Sequence, residues 1–84
     1  MKYKIELLPL ADHYVAAVRD INTSKLKESF TLNEIGADIL KLLAQDTDTT
    51  IVVQEIATKY EAPIDLITKD VLTFEKNLKK KGLL

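Results

Sequence analysis

At Leu32-Asn33 the spacing of apolar residues changes from every second position to roughly every 3.6. A chain that reads this way must build a sheet first and then pack helices on it, which is an α+β arrangement. Upstream, Tyr3, Ile5 and Leu7 alternate with Lys4 and Glu6, so a strand with one buried face is expected there. Pro9 and Leu10-Ala11-Asp12 mark its end, because proline suits a strand edge or terminus. A second strand, Tyr14 to Arg19, is carried by Tyr14, Val15 and Val18 and stops at Asp20. Asn22-Thr23-Ser24 is turn chemistry, since these side chains bond to nearby backbone. A third strand, Leu26 to Leu32, sets Leu26, Phe30 and Leu32 on one face and Lys27, Ser29 and Thr31 on the other.

Downstream, Asn33 is a favoured N-cap and Glu34 suits the positive end of a helix dipole. Ile35, Ile39, Leu42 and Leu43 then form an apolar stripe to about Gln45. Asp46 to Thr50 is a polar break. A second helix follows to about Tyr60, with Val53, Ile56, Ala57 and Tyr60 on one face. Glu61-Ala62-Pro63 ends it, because the residue before proline avoids the α region. In the third helix Ile64, Ile67, Val71, Phe74 and Leu78 hold one face through successive turns. Gly82 fits the left-handed position after it, which makes Leu83 and Leu78 the pair that touches in a Schellman ending.

Eighty-four residues allow one domain, spanning 1–84. The charges nearly cancel, with 12 Lys and Arg against 13 Asp and Glu. Such a chain lacks the positive field of an autonomous nucleic-acid binder. It has no cysteine, which excludes disulfides and thiolate metal sites. No signal peptide and no apolar run of membrane-spanning length is visible, so a cytoplasmic protein is expected.

Catalytic chemistry finds no support. His13 is the only histidine and has no positioned partners in sequence. Asp46 and Asp48 resemble a fragment of a calcium loop, but Ile51 and Ala57 stand where its glycine and final glutamate belong. No glycine-rich phosphate loop exists, because the only glycines are Gly36 and Gly82. The reading is therefore a non-enzyme with no cofactor, no metal site and no catalytic residue. Lys79-Lys80-Lys81 fits the negative end of a helix dipole, and Lys69, Lys76 and Lys80 form a solvated face opposite the stripe. What remains is an architecture with exposed sheet edges. An edge beside a helix can take up an extended peptide, main-chain bonds supplying affinity and side-chain pockets selectivity.

The runs L-N-E-I-G-A-D-I-L-K-L-L (Leu32 to Leu43), Q-E-I-A-T-K-Y (Gln54 to Tyr60) and A-P-I-D-L-I-T-K-D-V-L-T-F-E-K-N-L-K-K-K-G-L-L (Ala62 to Leu84) resemble, in that order, the PqqD family. The resemblance covers about residues 32–84, and the preceding strands agree in number and position. It implies a winged-helix-like fold, a three-stranded antiparallel N-terminal sheet followed by three helices. It also implies that the domain performs no reaction. It would bind the leader region of a ribosomal precursor peptide and deliver it to a radical S-adenosylmethionine enzyme or another tailoring enzyme. The leader adds as a strand beside the third strand and lies against the third helix. In the third strand the site residues implied are Leu26, Lys27, Glu28, Ser29, Phe30 and Thr31.

On the third helix two leucines fall outside the stripe, on opposite flanks. Leu72 lies with Thr68, Glu75 and Lys79, while Leu66 lies with Asp70 and Asn77. The flank of Thr68, Leu72, Glu75 and Lys79 is favoured, because the family commonly carries further apolar residues there. Glu75 then calls for a Lys or Arg in the leader. The sequence departs from the family pattern in the long polar break at Asp46–Thr50, in Val52 and in Glu75. The alternative reading is a winged-helix DNA-binding regulator, and a structural subunit of a larger assembly is a third. The sequence offers a DNA reader little: Gln54 and Lys59 sit beside Glu55, and Arg19 is the single arginine.

Overall fold

The computed structural model describes residues 3–83, so Met1, Lys2 and the last leucine of the closing motif, Leu84, lie outside it. Strands β1 (Tyr3–Leu10), β2 (His13–Asp20) and β3 (Leu26–Leu32) form one antiparallel sheet in the order β1-β2-β3. Helices α1 (Glu34–Ala44), α2 (Thr49–Tyr60) and α3 (Ile64–Lys80) follow. The fold class expected from the change of period is the one observed. β1 runs through Pro9 to Leu10 and meets β2 across the two-residue turn Ala11-Asp12, Leu10 pairing with His13.

The inner sheet face carries Tyr3, Ile5, Leu7, Ala16, Val18, Phe30 and Leu32 into the core with Ile39, Leu40, Val52, Ile56, Ile67 and Val71. Two residues of the expected faces are corrected. Between Val18 and Arg19 the β2–β3 register slips, so that Val18 pairs with Glu28 but Arg19 with Leu26, leaving Lys27 as the extra residue of a bulge. A one-residue slip turns a side chain to the other face. Leu26 is accordingly exposed, and Glu28 joins Phe30 and Leu32 as half-buried. Ile64, expected at the head of the α3 stripe, is also exposed, because α3 turns its inner face to the core only from Ile67 onward.

Each helix is closed by named groups. Asn33 Oδ1 accepts from the Gly36 N–H at 2.8 Å, and Asp48 Oδ1 accepts from the Thr50 N–H at 2.9 Å. A Cβ on Gly36 would stand 3.2 Å from that Asn33 oxygen and 3.3 Å from Leu32, so a side chain there would press both back by a few tenths of an ångström. All three helices finish in a Schellman turn. Thr47 N–H reaches Leu42 O, Ala62 N–H reaches Ala57 O, and Leu83 N–H reaches Leu78 O at 2.9 Å. The left-handed residues of these endings are Asp46 (φ 57°), Glu61 (φ 50°) and Gly82 (φ 75°). The glycine ending agrees with the sequence reading, including burial of both Leu78 and Leu83.

Glu61 lacks glycine's freedom and lacks the short polar side chain that eases Asp or Asn into this region. Glu61→Gly is expected to stabilise the domain by about 0.5–1 kcal/mol, the left-handed penalty less glycine's entropy. A rise of several degrees in thermal midpoint would register it; a fall would show that the Glu61 side chain stabilises more than its backbone costs.

Candidate functional site

β3 has β2 on one side and no strand on the other among the described residues. Which of its amides are free follows from the turn before it. The Asp20 N–H donates to Lys25 O and the Asp20 carbonyl accepts from the Ser24 N–H, both at 2.9 Å. Asp20 therefore aims its backbone toward β3. By strand alternation so do Val18, Ala16 and Tyr14, which are paired with Glu28, Phe30 and Leu32. The backbone groups of Ser29 and Thr31 consequently face the open edge. The same alternation explains Pro9: its partner is Tyr14, so the missing N–H lies on the solvent side of β1.

Across from this edge stands α3. A groove of about 370 Å³ lies where the end of β3 and the first turns of α1 meet α3, with Leu32, Ile35, Ile39 and Phe74 as apolar lining and Thr31 and Asp70 among its polar walls. Outside this pocket, nearer the start of β3, Lys81 spans the gap between α3 and the strand. Its Nζ donates to Glu28 Oε1 at 2.7 Å and stands 5.5 Å from the centre of the Phe30 ring. Lys27, the bulge residue, instead donates to the Tyr3 hydroxyl at 2.7 Å and lies over the Tyr3 ring. Of the third-strand candidates, then, Ser29 and Thr31 present backbone, and Glu28 and Phe30 meet Lys81 of the α3 ending. Lys27 turns to β1, and Leu26 lies on the outer face.

The α3 candidates sit elsewhere. Thr49 in the first turn of α2 donates to Glu75 Oε1 at 2.7 Å, which fixes the Glu75 flank against α2. Thr68, Leu72 and Lys79 share that flank by helical spacing, and Thr68 bonds back to Ile64 O. The structure thus does not bring Thr68, Leu72, Glu75 and Lys79 together with β3. It brings Asp70 and Phe74 there, with Leu66 and Asn77 on the same flank. Glu75 serves α2 instead, where a carboxylate at the helix N-terminus accepts a hydrogen bond and opposes the dipole. Val52, the other departure from the family pattern, is fully buried, and Asp48 does the capping. Leu66 and Leu72 are each 53% exposed, so neither widens the core.

A second polar cluster joins α1 to α2. Lys59 Nζ donates to Asp38 Oδ2 at 2.8 Å, and the Tyr60 hydroxyl donates to the same oxygen. Burial opposes the Asp38 charge, but these hydrogen bonds and the Lys59 charge outweigh it and hold the pKa below the ordinary value. Burial first, and then the bond to Asp38, pushes the Tyr60 phenol above its usual range. A carboxylate whose folded pKa is depressed adds stability above its unfolded pKa and loses it as pH falls through the folded value. Asp38→Asn is expected to cost about 1–2 kcal/mol at pH 7, and the gap from wild type should close below about pH 4. A gap that stays constant in unfolding curves from pH 7 to pH 3 would refute this.

Of the side chains a DNA reader would use, the two cations are engaged, while Gln54 is exposed on α2. Arg19 Nε lies 3.3 Å from Glu6 Oε1 on the sheet, and Lys59 is held by Asp38. His13 opens β2 and lies 3.2 Å from Asp12 Oδ1. Among the described residues no group of three His, Asp or Glu side chains could hold a metal, and no helix is long and apolar enough to cross a membrane.

No curated protein matches the chain. Among solved structures it is similar to TbiB1 in complex with the TbiA(beta) leader peptide, at 23% identity and a TM-score of 0.69, over all of this chain and 94% of that one. At that identity the likeness carries the fold, three antiparallel strands followed by three helices. The family model described as coenzyme PQQ synthesis protein D (PqqD) matches residues 11–84. That match runs from the β1–β2 turn through the whole helical half, and on it the chain belongs to the PqqD family.

Proposed function

We propose that this domain binds the leader region of a ribosomal precursor peptide by strand addition to β3, and presents it in the cytoplasm to a tailoring enzyme such as a radical S-adenosylmethionine enzyme. It carries out no chemistry itself. The observation that carries the reading is the open β3 edge facing α3 across a groove with an apolar lining. Family membership and the leader peptide held by TbiB1 support it. The peptide would bond to the Ser29 and Thr31 backbone and direct alternate side chains toward α3. The α3 wall of the site is then Leu66, Asp70, Phe74 and Asn77 in place of the Leu72 flank.

The test is an amide-shift titration with the leader half of a precursor peptide encoded beside this gene. Shifts should gather in β3 and at Leu66, Asp70, Phe74 and Asn77. Shifts centred on Gln54–Lys59 would overturn strand addition. Duplex DNA is expected to bind no tighter than about 10⁻⁴ M at physiological salt, because 13 acidic side chains offset the 12 basic ones and leave no net positive field. A sub-micromolar gel shift at that salt would restore the regulator reading.

A further inference from the structure

The groove between β3 and α3 has a charge pattern that narrows what can enter it. Toward the start of β3, outside the pocket, Glu28 is neutralised by Lys81 at 2.7 Å. Asp70 lines the pocket with Leu32, Ile35, Ile39 and Phe74, and makes no hydrogen bond or ion pair with any described residue. We propose that this pocket reads a long basic side chain, Lys or Arg, at one fixed position of the bound peptide, with Asp70 as the specificity-determining residue. The inference rests on the strand-addition reading and deepens it.

Exclusion contributes as much as attraction. A strand added to β3 points every second side chain toward α3, about 7 Å apart, so one of them meets this pocket. A leucine there would cover the apolar lining but would also take water from an unpaired carboxylate, which is costly. A Glu or Asp would add like-charge repulsion. A Lys or Arg satisfies both parts of the pocket: its methylene stem lies along Phe74 and Ile35, and its charged head reaches Asp70. Specificity is the difference between these cases.

The probe is a library of ten-residue random peptides with fixed Gly-Ser flanks, selected by messenger-RNA display on the full chain. Wild type, Asp70→Asn, Asp70→Lys and Ser29→Pro are used in parallel, with thermal unfolding of each. Asp70 is exposed on the helix surface, so its variants are expected to fold. Wild-type winners should share a Lys or Arg at one position. Replacing that residue by Ala, or using Asp70→Asn, should each weaken binding about tenfold, and the two changes together little further. Asp70→Lys should favour Asp or Glu at that position.

Peptides that lose binding with Ser29→Pro yet show no basic position, or keep full affinity for Asp70→Asn, overturn the inference and leave strand addition standing. Peptides indifferent to Ser29→Pro, or no enrichment at all, overturn strand addition and this inference together.

Discussion

Ser29→Pro is expected to weaken peptide binding by about 30- to 150-fold while leaving the folded domain nearly as stable as wild type. Proline removes the Ser29 N–H, and its ring projects where the added strand would lie. A lost main-chain bond, together with a partner carbonyl left unpaired on burial, amounts to about 2–3 kcal/mol. The fold should tolerate the change because that N–H points away from β2: the β2 backbone serves Glu28, Phe30 and Leu32. Phe30→Pro is the matched contrast. Its N–H belongs to the ladder and its ring is half-buried, so that variant should lose stability outright. Calorimetry beside thermal unfolding separates the two. Equal affinity for wild type and Ser29→Pro would mean that the peptide does not use this edge; equal destabilisation by both variants would mean that the edge is assigned the wrong way round.

What the sequence discloses about this fold follows from how local each signal is. The change of period at Leu32-Asn33, the Asn33 cap and the Gly82 ending depend on neighbours within a few residues, and all three stand in the structure. The Schellman turns at Asp46 and Glu61 have the same geometry but lack the glycine that advertises it, so the first reads only as a polar break and the second only as a stop before Pro63. Leu40 is fully buried yet lies off the stripe of Ile35, Ile39, Leu42 and Leu43, because α1 is covered on two sides, by the sheet and by α2. The bulge at Lys27 leaves no mark either: alternation counted through it puts Leu26 inside, and one extra residue puts it outside.

Which flank of α3 faces β3 is hidden from the sequence for a related reason. Helical spacing orders residues around an axis but says nothing of which neighbour stands on which side. Glu75 reads as a departure next to the groove, when its reason is the Thr49 hydroxyl and the N-terminus of α2, 26 residues away in sequence. Two mirror-related placements of α3 fit the same wheel. A pairwise contact is needed to choose, and in this structure Thr49–Glu75 and Glu28–Lys81 make the choice.

Leu83→Ala is expected to lower stability by about 2–4 kcal/mol, an effect at the end of the described chain as large as one at the centre of the core. End residues usually fray and tolerate change. Leu83 is 1% exposed, packs in the core cluster and closes the Schellman turn against Leu78. A domain of this length has a total stability of only about 4–13 kcal/mol, so the thermal midpoint should fall by ten degrees or more. Gly82→Ala isolates the backbone part. A Cβ there would meet only Lys27 Nζ, at 3.9 Å, so its cost is the left-handed penalty less the chain entropy that alanine saves, about 0.5–1 kcal/mol, and no clash. Leu72→Ala, on the same helix but 53% exposed, should stay within about 0.5 kcal/mol. The expected order is therefore Leu83→Ala, then Gly82→Ala, then Leu72→Ala. The C-terminal turn also seats Lys81 against Glu28 of β3, so Leu83→Ala should weaken peptide binding only to the extent that it unfolds the domain. If Leu83→Ala proves as mild as Leu72→Ala, the buried ending of α3 is not an anchor, and the groove wall it holds has some other support.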